Sequence, residues 1–214
     1  MISIVTGTLN RVDLLPNFLE NTIYSDERLE LVLVDGGSED GTQDYIKSLN
    51  HKRIKLIEVG HRSCYAHYMN LGINNASHEI IAQWNDDVLL DASWDEVINC
   101  IDDDHAMYRF KWREPETTET IMYSYCINFG LYKKEVYRTA GLYNTSLYYY
   151  AGDSEMYMRA KIFGHKTKEC PNIIVNELLV DKNAIRIGDE QQQYYDIIKK
   201  YKETRELPVG VKLL

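Results

Sequence analysis

Short apolar segments alternate with helix-like segments through the first part of the chain, and this alternation constrains the fold more than any other feature. The strand-like segments are Ile2–Thr6, Leu29–Val34, Ile54–Val59 and Glu79–Ala82. Between them, residues 13–23, 43–49 and 65–75 carry apolar side chains at helical spacing. This order predicts an α/β fold, with a mostly parallel central sheet flanked by helices on both faces.

Polar loops follow three of the predicted strands: Gly7–Arg11, Asp35–Thr42 and Gln83–Val88. The carboxyl ends of parallel strands lie along one edge of a sheet, and ligands bind in the crevice outside that edge. We therefore expect the three loops to meet in a single crevice.

The third loop places two carboxylates, Asp86 and Asp87, side by side after Asn85. Adjacent carboxylates repel each other, and a hard divalent cation such as Mn²⁺ or Mg²⁺ relieves the repulsion because it prefers oxygen ligands. A metal here would in turn suggest a ligand that carries phosphate. The competing interpretation is a solvated Asn-Asp turn, since both residue types favour turns.

Three motifs resemble those of the family 2 glycosyltransferases of the GT-A fold, which move a sugar from a nucleoside diphosphate to an acceptor hydroxyl. The opening Ile2–Arg11 is similar to the family's strand and Thr-x-Asn-Arg loop, and Asp35–Thr42 to its Asp-Gly-Ser-x-Asp-Gly-Thr signature. Residues 66–76 look like the family's Ala-x-x-x-Asn-x-Gly-x-x-x-Ala helix. That helix leads, in the family, to the strand that bears the Asp-x-Asp metal motif.

The resemblance makes Asp87 the metal ligand of the Asp-x-Asp motif, Asp86 its variable middle and Asn85 the counterpart of its first aspartate. The Asn85 amide can form hydrogen bonds with ribose or diphosphate but supplies no charge to a metal. The resemblance also implies that Asp35 accepts a hydrogen bond from a uracil imide, which points to a UDP-sugar donor. The predicted donor-binding residues are Thr6, Thr8, Arg11, Asp35, Arg62, Asn85 and Asp86.

A further motif, near residue 150, supplies the candidate catalytic base, Asp153. Family members carry Glu-Asp-x-Asp here, and its second residue is the base; Gly152 replaces the preceding acid, while Glu155 matches the last one. The base would take a proton from an acceptor hydroxyl in an inverting displacement. The alternative role for Asp153 is the N-cap of a helix over residues 154–163.

Basic and aromatic side chains nearby offer further candidates for the site. Four basic residues could stabilise the departing diphosphate, although lone basic residues are more often structural or exposed: Arg62, Arg159, His165 and Lys166. Several tyrosines could stack on a glycan acceptor, with core or strand packing as the commoner role: Tyr123, Tyr125, Tyr149 and Tyr150.

The length of 214 residues and the 44% hydrophobic content suit one core, so we predict a single domain. Within it, residues 1–90 form the nucleotide-binding half, 91–180 the acceptor and catalytic half, and 181–214 a C-terminal extension. The extension is expected either to pack on the sheet or to act as a flap over the donor.

The formal net charge of −9, with acids spread along the chain, argues against nucleic acid as a partner. The sequence has no long apolar run that would predict a membrane span, and it lacks the Gln-x-x-Arg-Trp motif of processive family members. Transfer of one sugar per encounter is therefore expected. The four cysteines look like reduced, buried thiols, which favours a cytoplasmic location.

Two other functions fit the same sequence. The first is a nucleotide-sugar-binding module without catalysis, because Asn85 and Gly152 both stand where the family has acids. The second is another reaction on a related fold, such as nucleotidyl transfer or glycoside cleavage by two carboxylates. Nucleotidyl transfer would release diphosphate rather than free UDP, and a glycosidase would need no nucleotide.

Overall fold

The computed structural model describes residues 1–113, 123, 127, 129–148, 151–178, 189–208 and 210–214. Its strands are β1 (Ile2–Thr8), β2 (Leu29–Asp35), β3 (Ile54–Glu58), β4 (Ile80–Gln83), β5 (Val88–Asp91), β6 (Met107–Arg113), β7 (Gly130–Lys133) and β8 (Thr167–Glu177). Its helices are α1 (Leu15–Asn21), α2 (Thr42–Ser48), α3 (Tyr65–Asn75), α4 (Trp94–Cys100), α5 (Lys134–Thr139), α6 (Gly152–Ile162) and α7 (Asp189–Thr204). None of the helices in these described ranges combines the length and apolar character that crossing a membrane requires.

The eight strands form one sheet in the order β3-β2-β1-β4-β7-β6-β8-β5. The first four run parallel to one another, and β7 then pairs antiparallel to both β4 and β6. At the far edge β8 is parallel to β6 and antiparallel to β5. The predicted α/β fold is confirmed, and the strands β1 to β4 are all parallel to one another.

Apolar side chains cover both faces of the sheet, in two buried clusters. On one face, α3 packs directly on β1 and β2, and the close approach requires a residue without a side chain. A Cβ atom on Gly72 would lie 2.2 Å from Cγ1 of Val5. This contact explains the glycine in the predicted α3 motif and fixes α3 against the strands that end at the crevice.

A disulfide joins Cys100, at the end of α4, to Cys170 in β8, across 70 residues of sequence. The prediction of four reduced thiols is therefore wrong for this pair, because α4 returns beside β8 once β5 and β8 have paired. Cys64 is a free, buried thiol, and Cys126 lies outside the described residues. The cytoplasmic location that rested on reduced cysteines stays an untested prediction.

The C-terminal residues with described structure pack against α6 and the segment that precedes it. The Tyr201 ring of α7 lies 5.4 Å from that of Phe163, and the Arg205 guanidinium donates to the Ile162 carbonyl at 2.6 Å. Further along, the amide of Leu142 donates to the Lys212 carbonyl at 2.7 Å. These contacts favour a packed extension over a flap, while residues 179–188 lie outside the described part.

Glu30, near the start of β2, joins three elements through one buried carboxylate. It accepts from the Ser3 hydroxyl of β1 at 2.6 Å and from the Ser77 amide and hydroxyl, both at 2.8 Å, and it lies 2.7 Å from the Lys55 ammonium of β3. Burial raises the pKa of Glu30, but these partners outweigh burial and hold it at about 2.

Replacing Glu30 by Gln should therefore destabilise the fold in a pH-dependent way. Because the folded pKa lies below the unfolded value of 4.5, the carboxylate stabilises the fold above that pH, and the contribution disappears as pH falls toward 2. We expect E30Q to lose about 2 kcal/mol of unfolding free energy at pH 7, after allowance for the exposure of Lys55. Urea unfolding at pH 7 and pH 3 measures the difference, and E20Q, at an exposed helix position, is the control; an equal loss at both pH values would contradict the assignment.

Candidate active site

The loops that follow β1 and β2 are locked to each other at the carboxyl edge of the sheet. The Gly36 amide donates to the Thr8 carbonyl at 3.0 Å, and the Asn10 amide donates to the Ser38 hydroxyl at 2.8 Å. Asn10 makes a second bond to the same loop, because its side-chain oxygen accepts from the Glu39 amide at 2.8 Å. Two predicted loops therefore form one rim of the crevice.

The loop after β4 reaches the same rim. We call residues 85–87 the acid-pair loop; it turns sharply, because the Val88 amide donates to the Asn85 carbonyl at 3.2 Å. Nε of Arg11 lies 3.8 Å from Oδ1 of Asp86, which joins this loop to the one after β1. The predicted convergence of the three strand exits is what the structure shows.

Both acids of the pair are largely removed from water, with 7% of Asp86 and 9% of Asp87 exposed. Burial raises the pKa of Asp86 to about 6, the charge of Asp87 adds to the rise, and the nearby Thr8 hydroxyl and Arg11 oppose it. Oδ2 of Asp86 is buried and receives no hydrogen bond of regular geometry from the described residues. This arrangement favours a positive partner between the two acids.

A divalent cation fits these residues, provided that the donor completes its coordination. Within the described part of the chain, no group of three His, Cys, Asp or Glu side chains could hold an ion alone. Mg²⁺ is commonly bound by one or two carboxylates together with substrate phosphates and waters. Asp86 and Asp87 supply that number of carboxylates.

Asp35 ends β2 fully buried, and its carboxylate organises its own loop. Oδ1 accepts from the amides of Gly37 and Ser38, both at 2.9 Å, and from the Gln43 side chain at 2.6 Å. Oδ2 accepts from the Ser38 hydroxyl. Oδ2 therefore keeps a second lone pair, with which it could accept a hydrogen bond from a nucleobase.

The other predicted donor-binding residues lie at different depths around this edge. Thr6 is buried inside β1, and its hydroxyl donates to the Gly7 carbonyl at 3.0 Å; Thr8 is buried at the end of the strand. Arg62 is exposed in the loop between β3 and α3. Burial raises the pKa of the Tyr68 hydroxyl, and the nearby charge of Arg62 opposes this rise in part.

Tyr68 of α3 is a residue of this edge that the sequence reasoning missed. Its ring covers the strand exits: a Cβ on Gly36 would lie 2.6 Å from the Tyr68 hydroxyl, and one on Gly7 would lie 3.3 Å from Cδ2. The hydroxyl accepts from the Ser63 amide and donates to the His61 carbonyl at 3.3 Å. Gly7, near the end of β1, and Gly36, directly after β2, were the sequence features that could have indicated a ring here, since glycine leaves room for one.

Asp153 lies in the first turn of α6 rather than at its N-cap. The helix begins at Gly152 after Ala151, whose φ of 63° is left-handed, and the Asp153 carboxylate accepts from the Ser154 amide at 2.8 Å. Burial raises the pKa of Tyr143 well above its usual range, and the Asp153 charge is among the smaller causes. Asp153 is therefore within electrostatic reach of Tyr143, whose hydroxyl donates to Gln83 at the end of β4.

Two of the basic candidates have structural partners instead of an open crevice. Arg159 is fully buried, pairs with Glu155 at 2.7 Å, and donates to the Ala140 carbonyl and, at 2.8 Å, to the Leu142 carbonyl. Nε2 of His165 lies 2.7 Å from the Thr139 hydroxyl, and burial lowers the pKa of this imidazole. The structural role, which is the commoner one for lone basic residues, therefore fits both side chains.

The remaining candidates are an exposed lysine and the tyrosines. Lys166 is exposed in the turn that leads to β8. The ring of Tyr123 lies 5.1 Å from the Arg109 guanidinium, a cation-π contact rather than an open acceptor platform. Tyr125, Tyr149 and Tyr150 lie outside the described residues.

The family model for glycosyl transferase family 2 matches residues 3–162, and the chain belongs to this family. Membership confirms the family that the sequence motifs resemble. The match spans β1 to the end of α6, so it includes the crevice loops, the acid-pair loop and Asp153. Among curated protein sequences none matches the chain significantly.

Solved structures with the same fold include two complexes with nucleotide sugars. One is the mannosyltransferase PcManGT from Pyrobaculum calidifontis with GDP-Man and Mn²⁺, at 19% identity and a TM-score of 0.70, covering 97% of this chain and 65% of that one. The other is residues 1–349 of S. aureus TarS with UDP-GlcNAc, at 14% identity and a TM-score of 0.75, covering 92% and 65%. The chain thus spans about two thirds of each, and at this identity the likeness supports the fold.

Replacing Arg159 by Met should strongly destabilise the protein, because Glu155 would be left as a buried, unpaired charge. Loss of one partner of a buried ion pair costs about 3–5 kcal/mol. The double variant E155M/R159M should be more stable than R159M alone, since no charge remains buried. Thermal unfolding measures both; K161M, an exposed change on the same helix, is the control, and a double variant no more stable than R159M would contradict this view of the pair.

Proposed function

We propose that the protein is an inverting glycosyltransferase that moves one sugar from a UDP-sugar to a hydroxyl of a glycan or another acceptor. The observation that carries the proposal is the meeting of the three strand exits, with Arg11 beside the buried pair Asp86 and Asp87. Family membership and the nucleotide-sugar complexes of similar structures support it. UDP as the carrier rests on the resemblance at Asp35.

The donor diphosphate would lie beside Arg11 and the acid-pair loop. Asp87 and Asp86 would hold Mn²⁺ or Mg²⁺, which as a Lewis acid offsets the negative charge that grows on the leaving diphosphate. Arg11 is half-buried and positively charged beside Asp86, so its guanidinium could also bind a phosphate oxygen. Asn85 can orient the ribose or the diphosphate by hydrogen bonds.

Asp153 would act as general base toward the acceptor. As the acceptor oxygen bonds to the anomeric carbon, the carboxylate takes its proton, and the bond from that carbon to the diphosphate breaks with inversion. Asp153 suits this role because the first turn of α6 fixes its position and because it is only partly buried. A positioned base of this kind contributes about 10²–10⁴ to the rate.

A second candidate function is a nucleotide-sugar-binding module without transfer activity. The departures at Asn85 and Gly152 favour it, since each replaces an acid of the family pattern. Product analysis separates it from a transferase. Free UDP formed only with an acceptor present supports sugar transfer, whereas release of diphosphate would indicate nucleotidyl transfer.

Replacing Asp153 by Asn should lower kcat for sugar transfer by about 10²–10⁴ while the UDP affinity stays within about twofold, because the change removes the base and leaves the donor site intact. Coupled detection of released UDP measures kcat, and calorimetry measures affinity. The control is D13N, an exposed position before α1. Unchanged turnover in D153N would rule out Asp153 as the base.

Replacing Asp87 by Asn should abolish the extra thermal stabilisation that Mn²⁺ gives in the presence of UDP. A ligand bound at 100 times its Kd adds about 2.7 kcal/mol to stability, so the wild-type shift should be several degrees. A melting series with UDP, GDP and dTDP, each with and without Mn²⁺ or Mg²⁺, measures it, with D44N on the exposed face of α2 as the control. If no nucleotide stabilises the wild-type protein, the proposed donor site is wrong.

A further inference from the structure

A continuous set of buried contacts joins the helix that carries Asp153 to the strand that ends in the acid-pair loop. The set runs from α6 through the segment 140–143 to α3 and β4, and every polar side chain in it is partly or fully buried. The two ends of the set are the groups between which a transferred sugar would lie.

The first step ties α6 to the segment 140–143. Arg159 donates from one guanidinium to the carbonyls of Ala140 and Leu142, and its ion pair with Glu155 keeps the guanidinium oriented. Both charged side chains are fully buried. The segment therefore cannot shift relative to α6 without uncovering a buried charge.

The second step ties the segment to α3. The Asn70 side chain donates from Nδ2 to the Tyr143 carbonyl at 2.9 Å and accepts from the Tyr143 amide at 2.8 Å. This pair of bonds is the same pattern that a neighbouring strand would provide, and it fixes the backbone on both sides of one residue. Gly72, two residues further along α3, allows the helix to pack closely against β1.

The third step ties the segment to β4. The Tyr143 hydroxyl donates to Oε1 of Gln83, whose Nε2 donates to the Ile127 carbonyl at 2.9 Å. Tyr143 and Gln83 are both fully buried. An apolar pair of the same shape could be nearly neutral or even stabilising here, so stability does not by itself require the polar contact. What the contact provides is one defined arrangement of β4 against the segment.

We infer that Tyr143 and Gln83 are positioning residues for the transfer reaction, which fix the acid-pair loop relative to the helix of Asp153. The inference rests on the proposed function. Only Trp84 separates Gln83 from the acid-pair loop, and Asn70 holds the Tyr143 backbone. The hydrogen bond between Tyr143 and Gln83 therefore couples a displacement of the segment 140–143 to that loop. Misplacement of a reacting group by about 1 Å can cost on the order of 10² in rate.

Replacing Tyr143 by Phe tests this, because the ring is kept and only the hydroxyl that bonds to Gln83 is removed. We expect kcat to fall at least about tenfold, with the Kd values for UDP and Mn²⁺ within about twofold of wild type. The matched control is Y201F, which removes an equally buried hydroxyl from α7. An unchanged kcat in Y143F, or an equal loss of affinity and turnover, would overturn the inference.

Hydrogen exchange of the protein without ligands supplies a second reading that does not depend on activity. In Y143F, and not in Y201F, the amides of residues 84–88 and of Tyr143 should exchange faster together, because the contact between the Tyr143 hydroxyl and Gln83 fixes β4 and the segment 140–143 relative to each other. Unchanged exchange at residues 84–88 overturns the inference. Absence of sugar transfer by the wild-type protein with every donor would instead overturn the proposed function, and the exchange result would still decide the role of Tyr143.

Discussion

The repulsion between Asp86 and Asp87 is the constraint on which the rest of the site depends. Two neighbouring carboxylates with little access to water destabilise a fold unless positive charge reaches them, and the raised pKa of Asp86 reflects that cost. Arg11 supplies positive charge beside Asp86. The loop that carries Arg11 is hydrogen-bonded to the loop after β2, which holds it in place. Well-packed helices on both sheet faces stabilise the molecule enough to tolerate the buried pair.

The sequence was sufficient to predict the first part of the fold, from β1 to β4, because its signals are local. Apolar runs, helical spacing and Gly-Asp loops specify β1 to β4 and α1 to α3, and parallel order then brings the loops to one edge. The part from β5 onward could not be predicted in the same detail. Its neighbouring strands are far apart in sequence, with β8 between β6 and β5 in the sheet. The hydrophobic pattern of a strand does not indicate which distant strand it will pair with.

Side chains with two plausible roles were the least predictable from sequence. Because Arg159 follows a family motif, the sequence suggests that it could bind a diphosphate. In the structure it instead pairs with Glu155 and donates to carbonyls of the segment before α6. Its burial depends on how α6 folds back onto the segment 140–143, which no local pattern reports. Asn70, in contrast, belongs to a motif visible in the sequence, but its bonds to the Tyr143 backbone appear only in three dimensions.

The link between Cys100 and Cys170 closes a loop that contains one part of the sheet. In a chain-entropy model, closing a loop of this size lowers the entropy of the unfolded chain and so stabilises the fold by about 4 kcal/mol. The closed loop includes β6 and β7. Strands β1 to β4 lie outside it. Reduction of the bond would remove this restriction from the unfolded chain, and through the pairing of β7 with β4 the loss of stability would reach the whole sheet.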